Sequence, residues 1–285
     1  MTSTPFQLAG PAEDTRRAYG PTLVALRDAV RRSADLWRRI DTPDAPAPGL
    51  RWTAAQTAAH VVGDLRDYTR ALTRHAGGYM THANRPTENP SRLSATVNAR
   101  HLEEVPERNL HRLADLLEDA TAGYLDAAAS ADASAVIETP NGLAISPPTM
   151  ACLLLGEQLV HGLDISRAAN LPWEVSVSDA LLVIPGALSV APQYLRPNRA
   201  AGVRASFELR MRGGPSYRMA VADGSAEVTA AGEKTDCTIC ANPVDFLLIS
   251  YGRIPQWSLL LRGRLRAGGR KPWLARKFGT LLYSP

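Results

Sequence analysis

The chain has 285 residues, 45% of them hydrophobic and 21% charged, the balance of a soluble globular protein with room for one large domain or two ordinary ones. No stretch approaches the roughly 20 apolar residues of a membrane span, and the first ten residues lack the basic start and apolar core of a secretory signal, so neither a membrane nor a secreted role is expected and the protein is placed in the cytoplasm. The formal net charge is +4, yet eight basic residues and no acidic one follow Asp245, which leaves the remainder of the chain acidic. That tail has no nucleic-acid reader motif and is broken by Gly268-Gly269, so it reads as a solvated basic face and no nucleic-acid partner is expected.

Residues 21–40 carry Leu23, Leu26, Val30, Ala34, Trp37 and Ile40 at helical spacing, and the proline-rich residues 41–49 end that helix. Thr53 opens a second helix with Gln56 three residues on, the pattern of a capping box; it runs to about His75, and Gly77-Gly78 stops it. A long irregular stretch, 77–90, follows. A third helical region covers 91–131, with a break or kink at Pro106. Residues 139–148 read as a turn-rich loop, and Ser146-Pro147 cap a fourth helix that reaches Asn170. A further helix over 178–194 is expected to be interrupted at Pro185-Gly186.

Near residue 200 the period changes from helical to alternating. Val203, Ala205, Phe207, Leu209 and Met211 interleave with polar residues as in a half-buried strand. Gly213-Gly214-Pro215 turns the chain into a second strand, Asp223-Gly224 marks a hairpin, and 225–230 and 235–241 supply two more strands. Asn242-Pro243 cap a helix, and short helices are expected over 255–261 and 272–283. The predicted architecture is therefore α+β in two domains: a helical bundle over 1–199 and a small α+β domain over 200–285. Three cysteines make no disulfide framework. Cys237 and Cys240 lie three apart on a strand and face opposite sides, Cys152 belongs to the core, and Phe246, Trp257 and Trp273 are read as core side chains or as the lining of an apolar site.

The fourth helix carries Glu157 and His161 four residues apart, on one face, among Leu153, Leu154, Leu155, Leu159, Val160 and Leu163. A carboxylate and an imidazole in so apolar a segment are costly unless something pairs them, and a divalent cation would. Spacing alone is weak evidence: Glu107 and His111 share it, in a polar setting that reads as a solvated face. His60, between Ala58-Ala59 and Val61-Val62 on the second helix, adds a third donor that could meet the pair inside a bundle. Two histidines and a carboxylate suit zinc with an open position, or nickel, iron or manganese with more water. Asp64 and Asp164, four and three residues after the histidines, are placed to orient them through the second ring nitrogen. His75, His82, His101 and His111 lie in polar or loop contexts and are assigned no metal role.

Arg51-Trp52-Thr53 followed by His60, and Gly156-Glu157-Gln158-Leu159-Val160-His161-Gly162-Leu163-Asp164, resemble the mycothiol-dependent maleylpyruvate isomerase family over about residues 20–285. The resemblance implies a DinB-like four-helix bundle followed by a smaller sterol-carrier-like domain. It also implies metal ligation, usually of zinc, by the positions matching His60, Glu157 and His161. An arginine of the C-terminal domain that engages substrate or thiol in the family is matched best by Arg253, after Phe246 to Gly252, with Arg262 as its rival.

The expected function is a metal-dependent isomerase or S-transferase using mycothiol. A low-molecular-weight thiol, ionised at the metal, would attack an electrophilic small molecule while Arg253 holds a carboxylate or a developing enolate. A metal-dependent hydrolase using the same triad and a non-catalytic binder of an apolar ligand are the alternatives. The substrate and the choice between monomer and homodimer are left open.

Overall fold

The structure, a computed structural model, describes residues 10–76 and 90–283. A short helix α1 (Pro11–Arg17), not expected from the sequence, runs directly into α2 (Tyr19–Trp37). Helix α3 (Ala54–Ala76) starts behind the expected capping box: the Gln56 amide donates to Thr53 Oγ1 at 3.2 Å, and the Thr53 amide donates to Gln56 Oε1 at 2.9 Å. Such reciprocal caps stabilise a helix start by about 1 kcal/mol. The expected irregular stretch after α3 lies, but for Pro90, outside the described residues, as do His82 and the side chain of His75.

Helices α4 (Pro90–Glu104) and α5 (Leu110–Ala129) flank the break at Pro106. Asn109 caps α5 by accepting from the Arg112 amide at 3.1 Å. The loop before the fourth long helix contains a two-residue hairpin, β1 (Ile137–Glu138) and β2 (Ala144–Ile145), too short to show alternation. Helix α6 (Pro147–Ala168) begins where Ser146 Oγ accepts from the Thr149 amide at 3.4 Å.

Helix α7 (Val177–Val190) passes through Pro185 without the expected interruption and ends in a 3₁₀ turn, Ala191–Tyr194. Packing overrides propensity here. Gly186 lies so close to α6 that a Cβ at this position would sit 2.3 Å from Cys152 Cβ, and Ala180, Val183, Ile184 and Leu188 are all buried.

After α8 (Pro197–Ala200) come β3 (Ala205–Met211), β4 (Ser216–Ala222), β5 (Ser225–Ala230) and β6 (Cys237–Ala241). Then follow α9 (Pro243–Ser250), α10 (Gln256–Leu261), β7 (Leu265–Gly268), a 3₁₀ turn (Pro272–Leu274) and α11 (Ala275–Leu281). The sheet order is β5-β4-β3-β6-β7, antiparallel except for β6 beside β3. The edge strand β7 was not foreseen; its four residues are too few to show a period. At Asp223-Gly224 both φ angles are positive, 52° and 74°, as a tight right-twisting hairpin requires. Asn242 caps α9 by accepting from the Val244 amide at 3.0 Å.

The protein is thus α+β, a helical N-terminal region followed by a C-terminal sheet. In the first part α2 and α3 each pack against both α5 and α6, around Leu26, Trp37, Leu65, Leu117 and Leu154. The sheet buries Phe207, Leu209, Tyr217 and Met219. Helix α7 serves both: Ile184 and Leu188 join the sheet's core, while Ala180 and Val183 pack with Leu155 and Leu159 of α6 and Leu247 and Leu248 of α9.

Cys152 and Cys237 are buried, Cys240 is half-buried, and all three are free thiols. Trp257 and Trp273, expected in a core or a lining, are instead 55% and 63% exposed. Arg276 stacks over the Trp257 ring at 5.1 Å, an arrangement that leaves an aromatic ring at the surface. Much of the basic tail is paired within the chain: Arg264 with Asp245 at 2.5 Å, and Arg270 and Lys271 with Asp236 at 2.6 and 3.1 Å. No helix of the described residues is long and apolar enough to cross a membrane.

Candidate metal centre

His60 on α3 and the pair Glu157 and His161 on α6 meet at the wall of a cavity of about 560 Å³ between the helices and the C-terminal segment. Glu157 Oε2 lies 3.0 Å from His161 Nε2 and 3.7 Å from His60 Nε2. One ligand atom from each of the three falls within 4.8 Å of the others. A tetrahedral zinc ion with ligands at about 2.0–2.1 Å holds them roughly 3.3 Å apart, so this donor set fits a single divalent cation.

Asp164 and Arg253 back this group from behind. His161 Nδ1 is 3.0 Å from Asp164 Oδ2, so the second ring nitrogen of that histidine is held as the sequence suggests. Arg253 in turn grips the fully buried Asp164, with Nη2 2.6 Å from Oδ2 and Nε 3.0 Å from Oδ1, and its Nη1 donates to the Tyr251 carbonyl at 2.5 Å. Three of its five N–H donors are therefore engaged by protein. Burial pushes the Asp164 carboxyl up, but hydrogen bonds from His161 and Arg253 outweigh that and lower its pKa. For the His161 imidazole, burial pulls downward while hydrogen bonds to Asp164 and Glu157 prevail, holding it at about 9. Glu157 is lowered: burial opposes ionisation, and the two histidines overcome it.

Asp64 stands elsewhere than expected. Its Oδ2 is 3.3 Å from Nε2 of His60, the same nitrogen that faces Glu157, because a residue one turn further along α3 lies on the cavity side of the ring. Burial raises its pKa. The second nitrogen of His60, Nδ1, faces His101 Nδ1 at 3.1 Å. His101 is thus not in a loop: it sits on α4, fully buried, with its ring among polar side chains of α3. Glu103 and Glu104, which follow it closely in sequence, are exposed while its own ring points in. His60, Asp64 and His101 form a second group with ligand atoms within 4.8 Å. By contrast His111 is exposed, and Glu107 lies in the loop before α5, where its Oε1 accepts from the Arg108 and Asn109 amides at 2.9 and 2.8 Å.

Residues 26–166 match the family model of the mycothiol maleylpyruvate isomerase N-terminal domain. The chain belongs to that family. All three triad residues fall inside the family segment, which runs from within α2 to within α6, and Arg253 falls outside it. Two crystal structures of a mycothiol-dependent maleylpyruvate isomerase, one of them a point mutant, resemble this structure over 88% of this chain and 92% of theirs. Their TM-scores are 0.55 and 0.54 at 13% identity, a likeness of fold. No curated protein matches the sequence.

The remaining cavity wall is largely apolar, with Leu153, Leu188, Phe246 and Ile249 beside the hydroxyl-bearing Tyr68, Tyr194 and Tyr251. Burial raises the pKa of all three tyrosines, that of Tyr194 to about 12, so they stand as neutral donors at physiological pH. Phe246 is the one aromatic of the three singled out in the sequence that lines the cavity.

Proposed function

We propose that the protein is a thiol-dependent isomerase or S-transferase that uses mycothiol and acts on an electrophilic small molecule. In this reading a DinB-like bundle, 1–199, precedes a sterol-carrier-like domain, 200–285. His60, Glu157 and His161 would hold one divalent cation, zinc by donor type. The observation that carries the proposal is the convergence of these three donors at the wall of a cavity, in a chain of this family.

A bound cation supplies positive charge that favours the ionised form of an incoming thiol. The chain's own groups do the rest. Asp164 fixes the ring of His161 so that Nε2 faces the cavity. Arg253 holds Asp164 in place, and its two N–H groups without a protein partner remain for an oxygen of the substrate or thiol. Tyr68, Tyr194 and Tyr251 offer neutral hydroxyls around the same space. Leu153, Leu188, Phe246 and Ile249 offer apolar surface for the carbon skeleton of the substrate.

The test is elemental analysis with activity. Purified protein should carry about one divalent metal per chain, and His60→Ala and Glu157→Ala should lose metal and thiol-dependent turnover together. Full metal retention by both variants would overturn the site. Turnover that persists without any thiol would instead favour a hydrolase on the same triad, and a metal-free protein carrying a copurified apolar molecule would favour a binding role.

A further inference from the structure

The buried face of α3 carries His60, Gly63, Asp64 and Asp67 at helical offsets of three, four and seven. Against it lies the ring of His101, delivered by α4. Gly63 makes this approach possible: a Cβ there would fall 2.4 Å from His101 Cγ. Both nitrogens of the His101 ring are taken. Nδ1 is 3.1 Å from His60 Nδ1, and Nε2 is 2.9 Å from Asp67 Oδ2. Asp67 is 2% exposed, and two arginines anchor its carboxylate: Arg100, 2.5 Å from Oδ2, and Arg70 on Oδ1. Both nitrogens thus face protein atoms, one an imidazole and the other a carboxylate.

The hydrogens in this chain of groups follow from its ends. A carboxylate held by two guanidinium groups can only accept, so Nε2 of His101 carries the hydrogen that points at Asp67. A neutral imidazole has one N–H, so Nδ1 of His101 presents a lone pair. Asp64 Oδ1 is 3.7 Å from this nitrogen, too far for a hydrogen bond, so the group within reach of the lone pair is Nδ1 of His60, at 3.1 Å, which must then be the donor. The one remaining lone pair of the His60 ring is on Nε2, the atom that looks toward Glu157.

We propose that His101, oriented by Asp67, is a positioning residue that fixes the His60 ring and its Nδ1–H tautomer so that Nε2 is presented to the metal. The inference rests on the triad reading above. It assigns to His101 the task that the sequence suggested for Asp64, and it makes Gly63 part of the centre. Contacts of this kind behind a ligand histidine change metal affinity about 10–100-fold when removed.

Co²⁺ titrated into metal-stripped protein tests the proposal through the absorption band of the bound ion. His101→Leu should weaken Co²⁺ binding about 10–100-fold. His101→Asn, whose amide oxygen can accept from His60 Nδ1–H, should recover most of that loss. Wild-type affinity in folded His101→Leu would overturn the proposal, as would equal losses in the Leu and Asn variants. If His101→Leu does not fold, ring ¹⁵N spectra of the zinc-loaded wild-type protein decide. Hydrogens on His60 Nδ1 and His101 Nε2, with His101 Nδ1 bare, support the relay; a hydrogen on His101 Nδ1 overturns it. A wild-type protein that takes up no Co²⁺ at all would remove the triad itself, an outcome distinct from unchanged binding in the variant.

Discussion

Arg253 and His161 share one oxygen atom: Oδ2 of Asp164 lies 2.6 Å from Arg253 Nη2 and 3.0 Å from His161 Nδ1. An arginine contributed by the C-terminal segment therefore bears on the orientation of an imidazole in α6, although the two side chains are 92 positions apart in the sequence. The expectation that this arginine serves the substrate is thereby narrowed, since most of its donors are engaged before any ligand arrives.

Arg253→Met should destabilise the protein by about 3 kcal/mol, the low end for breaking a buried pair because the arginine keeps some solvent contact. Asp164, with no exposed surface, would be left with His161 as its charge-bearing partner. Urea unfolding monitored by circular dichroism measures the change, and an unaltered midpoint would refute it. Zinc affinity in the same variant should fall about tenfold, as for the loss of other outer supports of a ligand.

Gly156→Ala should cut turnover while sparing metal content. A Cβ at this position would lie 2.4 Å from the Tyr251 hydroxyl and 3.0 Å from Val183 Cγ1. The tyrosine must therefore shift within the cavity wall, at a cost of about 1–3 kcal/mol for an overpacked contact. Elemental analysis beside steady-state kinetics separates the two effects; joint loss of metal and activity would contradict the expectation.

Thiol reagents should find little to react with in the native protein. Burial pushes the Cys152 thiol up to about 12 and also raises Cys237, and the thiolate is the reactive form. Titration with a chromogenic disulfide at pH 8 should therefore report no more than one accessible thiol per chain, rising to three in denaturant. Rapid modification of two or more in the folded state would contradict the packing described.

Asp236 gives a pH signature. Hydrogen bonds from Arg270 and Lys271 outweigh burial and lower its carboxyl to about 2, below the roughly 3.9 of an unfolded chain. A depressed pKa means that the stabilisation is complete above the unfolded value and disappears as pH falls through the folded one. The stability gap between wild type and Asp236→Asn should thus be full above about pH 4 and shrink toward pH 2. A gap that widens on acidification would reverse the assignment.

The parts of this architecture that were legible in the sequence are those with local causes. The capping box at Thr53 and Gln56, the Ser146 and Asn242 caps and the Asp223-Gly224 hairpin each depend on a few adjacent residues, and each stands where expected. The pair Glu157 and His161 was visible because a helix fixes their separation and their apolar neighbours made them conspicuous. What escaped was long-range. His101 has Arg100 before it and Glu103 and Glu104 soon after, which disguise a buried ring, and only α3 shows what it touches. The stripe of His60, Gly63, Asp64 and Asp67 was a signal that this helix face receives something polar, but nothing nearby names the partner. Pro185 misled for the same reason: its turn is held by the fit of Gly186 against Cys152, a contact between helices.

Helix α7 lies across the seam where the alternating pattern begins. Ile184 and Leu188, 1% and 3% exposed, are embedded on the sheet side, and Ala180 and Val183 on the other. The C-terminal portion cannot swing away as a stiff plate about the linker at 201–204 without dragging this helix into water. Any widening of the cavity would then have to come from side chains at its rim, not from separation of the two halves.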